Sequence, residues 1–178
     1  MILSTNLGRL ASAVATAVLI TSCSGNVSFS IGGNSPEDAA IEVIEDDLGP
    51  TLGWTLSATC INVDDPEVGD EFDCTATNEN DEIVEFVVAV GDDEVNVNTS
   101  NVIANSALET VESAALGLII DATSLAYPDG SVDCGAESIV IPTSGEVDCL
   151  LTELDGSETE IYLYEIDANS GNFSLASR

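Results

Sequence analysis

Glu71-Phe72-Asp73-Cys74-Thr75-Ala76-Thr77 returns later in the chain as Glu146-Val147-Asp148-Cys149-Leu150-Leu151-Thr152. Both stretches read Glu, apolar, Asp, Cys, two residues, Thr, at an offset of 75. Alternating apolar and polar residues predict a half-buried strand in each. The match runs on in both directions. Glu85, Phe86 and Val88 correspond to Glu160, Ile161 and Leu163 at the same offset. Val95 and Val97 correspond to Phe173 and Leu175 at offset 78, so the second half carries about three extra residues in its last turn. Upstream, Cys60 precedes Cys74 and Cys134 precedes Cys149. Two copies are too few for a solenoid, and the order of shared features points to a tandem duplication of a small α+β unit.

In the first copy Ser35-Pro36-Glu37-Asp38 is a helix start, with Ser at the N-cap, Pro at the first position and acid in the first turn. Ala40, Ile41, Ile44 and Leu48 follow at helical spacing, and Gly49-Pro50 is expected to stop the helix. A first strand or extended segment is then predicted over 54–61, ending at Cys60, and strands over 71–77, 83–90 and 94–99, with Val95 and Val97 inward. In the second copy Ser106-Ala107-Leu108-Glu109 reads as a capping box. Leu108, Val111, Ala115 and Leu116 line a helix, and 118–125 reads as an extended segment. Tyr127-Pro128-Asp129-Gly130 is a turn, and strands are predicted over 132–134, 146–152, 160–166 and 172–176. The expected fold class is α+β: two tandem small domains, 35–101 and 102–178, each a short helix followed by an antiparallel meander of about four strands with one internal disulfide. Units of this size are small enough to need a covalent staple. Four cysteines allow three connectivities. The repeat selects Cys60–Cys74 and Cys134–Cys149, because each copy then holds its own bridge.

That leaves the fifth cysteine, Cys23. Residues 1–22 carry one basic residue, Arg9, and no acid, and residues 10–20 are a run of Leu, Ala, Val, Ile, Ser and Thr. Such a run is shorter than the ~20 residues a bilayer span needs and suits a signal-peptide core. It ends in Leu19-Ile20-Thr21-Ser22-Cys23, which resembles the lipobox of bacterial lipoproteins. Small residues admit the peptidase, and a free thiol takes diacylglycerol before cleavage makes it the new N-terminus. Two acyl chains anchor stably where one does not. The expectation is a lipoprotein signal peptide over 1–22, a lipidated Cys23, and a flexible Ser/Gly/Asn-rich tether to residue 34. Within the tether Val27, Phe29 and Ile31 alternate, as a partial strand would. The location expected is extracytoplasmic, on the outer face of the cell membrane, where disulfides persist.

Composition then narrows the chemistry. The chain has 33 acidic residues, two basic ones and no His, for a formal net charge of −31. After cleavage only Arg178 would remain basic. Nothing could neutralise phosphates, so nucleic acid is not a partner. Without His or Lys there is no Ser-His or Cys-His nucleophile pair, no His-ligated metal and no Schiff base. No cofactor is expected, and the chain does not read as an enzyme. Carboxylate chemistry stays open. Asp64, Asp65 and Asp70 lie in an acidic loop that could offer oxygens to calcium, but the spacing does not fit an EF-hand, and solvated loops are the plainer reading. Tyr162 and Tyr164 alternate with Leu163, so they could form an exposed stripe for a partner, or cover a sheet face or domain junction.

The box at Cys23, Val132-Asp133-Cys134 with Gly145 and Cys149, and Gly69 with Cys74-Thr75-Ala76-Thr77 resemble small actinobacterial envelope lipoproteins that carry a disulfide-containing domain of unknown function. Copy one lacks the Val-Asp before Cys60. The resemblance implies an envelope location and an α+β fold, and transfers no catalytic residues. It leaves three functions open: a binding module for an envelope protein, an inhibitor of a secreted hydrolase (by fold analogy with tandem inhibitor domains), and a structural spacer.

Overall fold

Alternation along the repeated stretches builds two antiparallel sheets, each covered on one face by helix. A computed structural model describes residues 27–30, 35–61, 66–168 and 170–178. In the first part of the chain the strands are β1 (Val27–Ser30), β2 (Ser57–Cys60), β3 (Glu71–Thr77), β4 (Ile83–Val90) and β5 (Glu94–Thr99), in the order β1-β5-β4-β3-β2. In the second, β7 (Val132–Asp133), β9 (Val147–Thr152), β10 (Glu158–Asp167) and β11 (Asn172–Ser177) lie in the order β11-β10-β9-β7. A two-residue ribbon, β6 (Val102–Ile103) with β8 (Ile139–Val140), lies apart from both sheets. The fold class is α+β with antiparallel sheets.

The registers of the two sheets agree. Cys74 pairs with Phe86 across β3–β4, and Cys149 with Ile161 across β9–β10. Val88 pairs with Val97 across β4–β5, and Leu163 with Leu175 across β10–β11. Both disulfides form between the cysteine pairs expected, Cys60–Cys74 and Cys134–Cys149, and both are consistent with an extracytoplasmic location. The three extra residues of the second half extend β10 beyond Tyr164 through a bulge, where Glu165 takes a left-handed φ of 53°.

Each sheet buries one face. Ala39, Ala40, Val43, Ile44 and Leu48 from the helical segment pack on Phe72, Cys74, Val84, Phe86, Val88, Val95 and Val97. Leu108, Val111, Ala115, Leu116 and Ile119 pack on Val132, Val147, Cys149, Leu151, Ile161 and Leu163. Ser138 joins the two halves: its hydroxyl donates to the Leu52 carbonyl at 2.7 Å and accepts from the Asn105 N–H at 3.0 Å.

Several expectations are corrected. Helix α1 (Pro36–Glu42) is capped by Ser35 as expected, its Oγ accepting from the Asp38 N–H. Gly49-Pro50 does not stop it: a π-helical turn over Val43–Leu48 leads into α2 (Gly49–Leu52), which ends at Gly53 with φ 83°. The wider turn gives the Pro50 ring the room that a regular helix denies it. Gly49 is needed there for another reason, since a Cβ would meet the Trp54 carbonyl at 3.0 Å. Helix α3 runs over Asn105–Thr123, so 118–125 is helical rather than extended over most of its length. Ile119 falls three residues after Leu116, on the buried face, and packing outweighs the strand preference of a β-branched run. Ser106 caps nothing. The N-cap is Ala104, and Ser138 supplies the hydroxyl acceptor from a distant loop. The first strand of copy one is shorter than 54–61, because the αL turn at Gly53 delays it to Ser57. Residues 27–30 of the expected tether form β1, whose backbone pairs with the edge of β5. Cys23 and the expected signal segment 1–22 lie outside the described residues. Among the described residues no helix is long and apolar enough to cross a membrane.

Candidate functional site

The outer face of the second sheet gathers the features that the sequence scattered. Because Ile161 and Leu163 are buried against α3, Tyr162 and Tyr164 must point the other way. Both are half-buried, with ring centroids 5.8 Å apart and planes tilted by 44°. Their neighbours on β11 are small: Ala176 stands opposite Tyr162 and Ser174 opposite Tyr164. On the other side Asp148 of β9 stands opposite Tyr162. The two rings therefore share the outer face, flanked by carboxylate on one side and by small residues on the other.

Arg178, following β11, lies across this face. Its guanidinium carbon is 5.2 Å from the Tyr162 ring centroid, a cation–π distance. Nη2 donates to Asp148 Oδ1 at 2.8 Å and to Glu146 Oε2 at 3.3 Å. The Asp148 hydrogen bond and charge, with Glu146 and Glu160 adding to them, hold the guanidinium pKa above its ordinary value. The guanidinium fills one side of an open hollow whose other walls are Asp133, Asp148, Glu160 and the Cys134–Cys149 bridge. Such a face suits a cation that offers both a flat π-facing surface and hydrogen-bond donors.

The first sheet carries the same scaffold without the site. Val87 and Ala89 occupy the places of Tyr162 and Tyr164, and Ser100 that of Arg178. The backbone bond at that last position is common to both: Ser100 N–H donates to the Glu85 carbonyl, and Arg178 N–H to the Glu160 carbonyl. Sequence reasoning found the two tyrosines and missed Arg178, Glu146 and Asp148 as their partners. The signal was present, because Arg178 is the one base among the described residues, and Glu146 and Asp148, two residues apart at the start of β9, put two carboxylates on one face.

Of the calcium candidates only Asp70 lies among the described residues. Asp70 Oδ2 accepts from the Glu67 N–H at 2.9 Å, closing its own turn. Asp64 and Asp65 lie outside the described residues. Among the described residues no three Asp, Glu, Cys or His side chains are grouped to hold an ion. An apolar pocket lies on the inner side of the second sheet, between the start of α3 and the β10–β11 hairpin, lined by Ile103, Ala107, Val111, Ile166 and Phe173 among others. Its interior of about 40 Å³ suits a single apolar side chain rather than a small-molecule ligand. No protein-family model matches this chain, and comparison with curated proteins and with solved structures finds no match.

Proposed function

We propose that this chain is a lipid-anchored, non-catalytic binding module of the cell envelope, held on the outer face of the membrane by diacylglycerol on Cys23 after removal of residues 1–22. Residues 35–101 and 102–178 are tandem copies of one α+β unit, of the kind that the resemblance to actinobacterial envelope lipoproteins implies. The agreement of strand registers at the sequence offsets supports this duplication. The second copy carries the contact surface, built on Tyr162 and Tyr164, and its partner is an envelope protein presenting Arg or Lys.

One observation carries the reading: Arg178 lies over the Tyr162 ring with its donors on Asp148 and Glu146, so the face already holds a side chain of the chemistry proposed for the partner. The first sheet keeps exposed carboxylates at the corresponding places, Glu71, Asp73 and Glu85, but has Val87 and Ala89 where the two rings stand, so it offers no π face to such a group.

A photo-crosslinking phenylalanine analogue placed at 162 or 164 in living cells tests it. The expected result is one stoichiometric adduct, joined near Lys or Arg, absent when the probe is at 87. A secreted hydrolase as that adduct would turn the reading to inhibition. Adducts from position 87 alone, or none from any position, would leave the spacer reading. The anchor is tested separately by the mass of the N-terminal peptide, expected to start at Cys23 with a diacylglyceryl thioether. An unmodified start at Ser24 would overturn it.

A further inference from the structure

The edges of the two sheets differ in one respect. β5 has β1 on its outer side, whereas β11, in the corresponding place, has no neighbour beyond it among the described residues. The segment that precedes α3, where β1 precedes α1, pairs instead with β8. The ladder fixes which groups this leaves open. Arg178 N–H donates to the Glu160 carbonyl. By antiparallel alternation Ala176 and Ser174 then bond to β10, and Phe173, Leu175 and Ser177 turn their N–H and C=O outward. In the first sheet the register places Val27 and Phe29 opposite Val97 and Val95, the counterparts of Leu175 and Phe173.

The surroundings specify what could lie there. α1 packs over β5 in the first half, whereas α3 packs over β7, so Phe173 and Leu175 are only half-buried. The bulge at Glu165 and the longer hairpin open the one-side-chain pocket beside Phe173. β11 carries no charged side chain from Asn172 to Ser177, and its outward face is small, at Ser174 and Ala176, next to the tyrosines. Beyond them stand Glu165, Glu160, Asp148 and Glu146. A second copy of this chain would bring the same carboxylates, and a net charge of −31, against themselves.

We propose that the β11 edge binds an extended segment of a partner protein as a fifth strand, with apolar residues at alternate positions and Lys or Arg between them. The apolar side chains meet Leu175, Phe173 and the pocket, and the backbone groups of residues 173, 175 and 177 supply the ladder. The basic side chains cross Ser174 and Ala176 to the Tyr162–Tyr164 face; this half rests on the function proposed above.

The test uses the oxidised full chain in detergent micelles and three synthetic eight-residue peptides: alternating Val-Lys, alternating Val-Ser, and four Val followed by four Lys. Amide exchange is read by NMR. The alternating Val-Lys peptide is expected to bind and to slow exchange at Phe173, Leu175 and Ser177 by roughly tenfold or more. The block peptide should give no such protection. Ser177→Pro, which removes an outward N–H without touching the β10 ladder, should abolish it. Binding of both Lys peptides without protection of these amides would overturn strand addition and leave the tyrosine face standing. Equal protection by the Val-Ser and Val-Lys peptides would overturn the basic specificity, and with it the tyrosine face as the contact surface. Protection without peptide that grows with protein concentration would replace the partner by a second copy.

Discussion

The two antiparallel sheets of this molecule agree in strand register and are finished differently. The first sheet is closed: β1 covers its edge, α1 lies over β5, and Val84, Val88, Val95 and Val97 are wholly buried. The second is left open: β11 is an edge, its side chains are only half-buried, and its outer face carries Tyr162, Tyr164 and Arg178. The registers and disulfides agree, so the difference cannot come from the scaffold. It comes from a few choices around it: which strand the pre-helix segment joins, three added residues in one hairpin, and aromatic residues in place of Val87 and Ala89. In the first half those choices bury the sheet edge, and in the second they leave β11 and the outer face half-exposed.

The largest expected effects test that contrast in the core. Phe86, 1% exposed, sits at the centre of the closed sheet, and Phe86→Ala is expected to cost about 3–5 kcal/mol in equilibrium urea unfolding. Phe173 is half-buried beside the pocket, so Phe173→Ala should cost about 1–2 kcal/mol. Equal losses would break the comparison. Next are the disulfides, whose sequence separations of 14 and 15 residues imply nearly equal stabilisation of about 3 kcal/mol each. Access separates them, since Cys60 and Cys74 are both buried, whereas Cys134 is half-buried beside an open hollow. Graded reduction with alkylation and peptide mapping should open Cys134–Cys149 first. The reverse order would show that the second half is not the looser one.

Much of this was legible in the sequence, for a physical reason. Strand alternation and cysteine spacing are local signals, and because they recur in the same order at offsets of 74 to 78 each stretch checks the other. Both bridges and most strands from Glu71 onward were legible in this way, while the tyrosines were placed on one side of a strand without saying which side it was. What failed was decided by contacts remote in sequence. Leu118-Ile119-Ile120 is helical because Ile119 reaches the α3 core, and the α3 cap is a hydroxyl thirty-three residues from the N–H it accepts. β6 and β8 have two residues each, too few for any period to show. Arg178 was visible only as an isolated charge, because its partners come from a strand thirty residues earlier in the chain.

Smaller effects come from one corresponding pair of turns. Asn78 N–H donates to the Glu82 carbonyl, and Glu153 N–H to the Ser157 carbonyl, so the backbone turn is shared. The side chains differ. Asn78 is buried, its Oδ1 accepting from the Asn80 and Glu82 N–H groups and its Nδ2 donating to Glu82 Oε2. Asn78→Ala should therefore cost about 1–3 kcal/mol, because two inward N–H groups lose their acceptor.

Glu153 is half-exposed and reaches outward instead. Its carboxylate accepts from Tyr127 Oη at 2.8 Å and from Thr159 Oγ1 at 3.0 Å. Burial first, then the hydrogen bond to Glu153 and its charge, raise the Tyr127 pKa above its ordinary value near 10. The folded protein thus keeps a proton that the unfolded chain gives up. The contribution is complete below about pH 10 and is lost as pH rises from there through the raised value. Unfolding followed between pH 8 and 11 should show a small alkaline loss of stability. Tyr127→Phe should diminish it. Were Tyr127→Phe to leave the alkaline loss unchanged, the Tyr127–Glu153 pair would contribute nothing to the turn. The second half would then lack at this corner the side-chain tie that Asn78 gives the first.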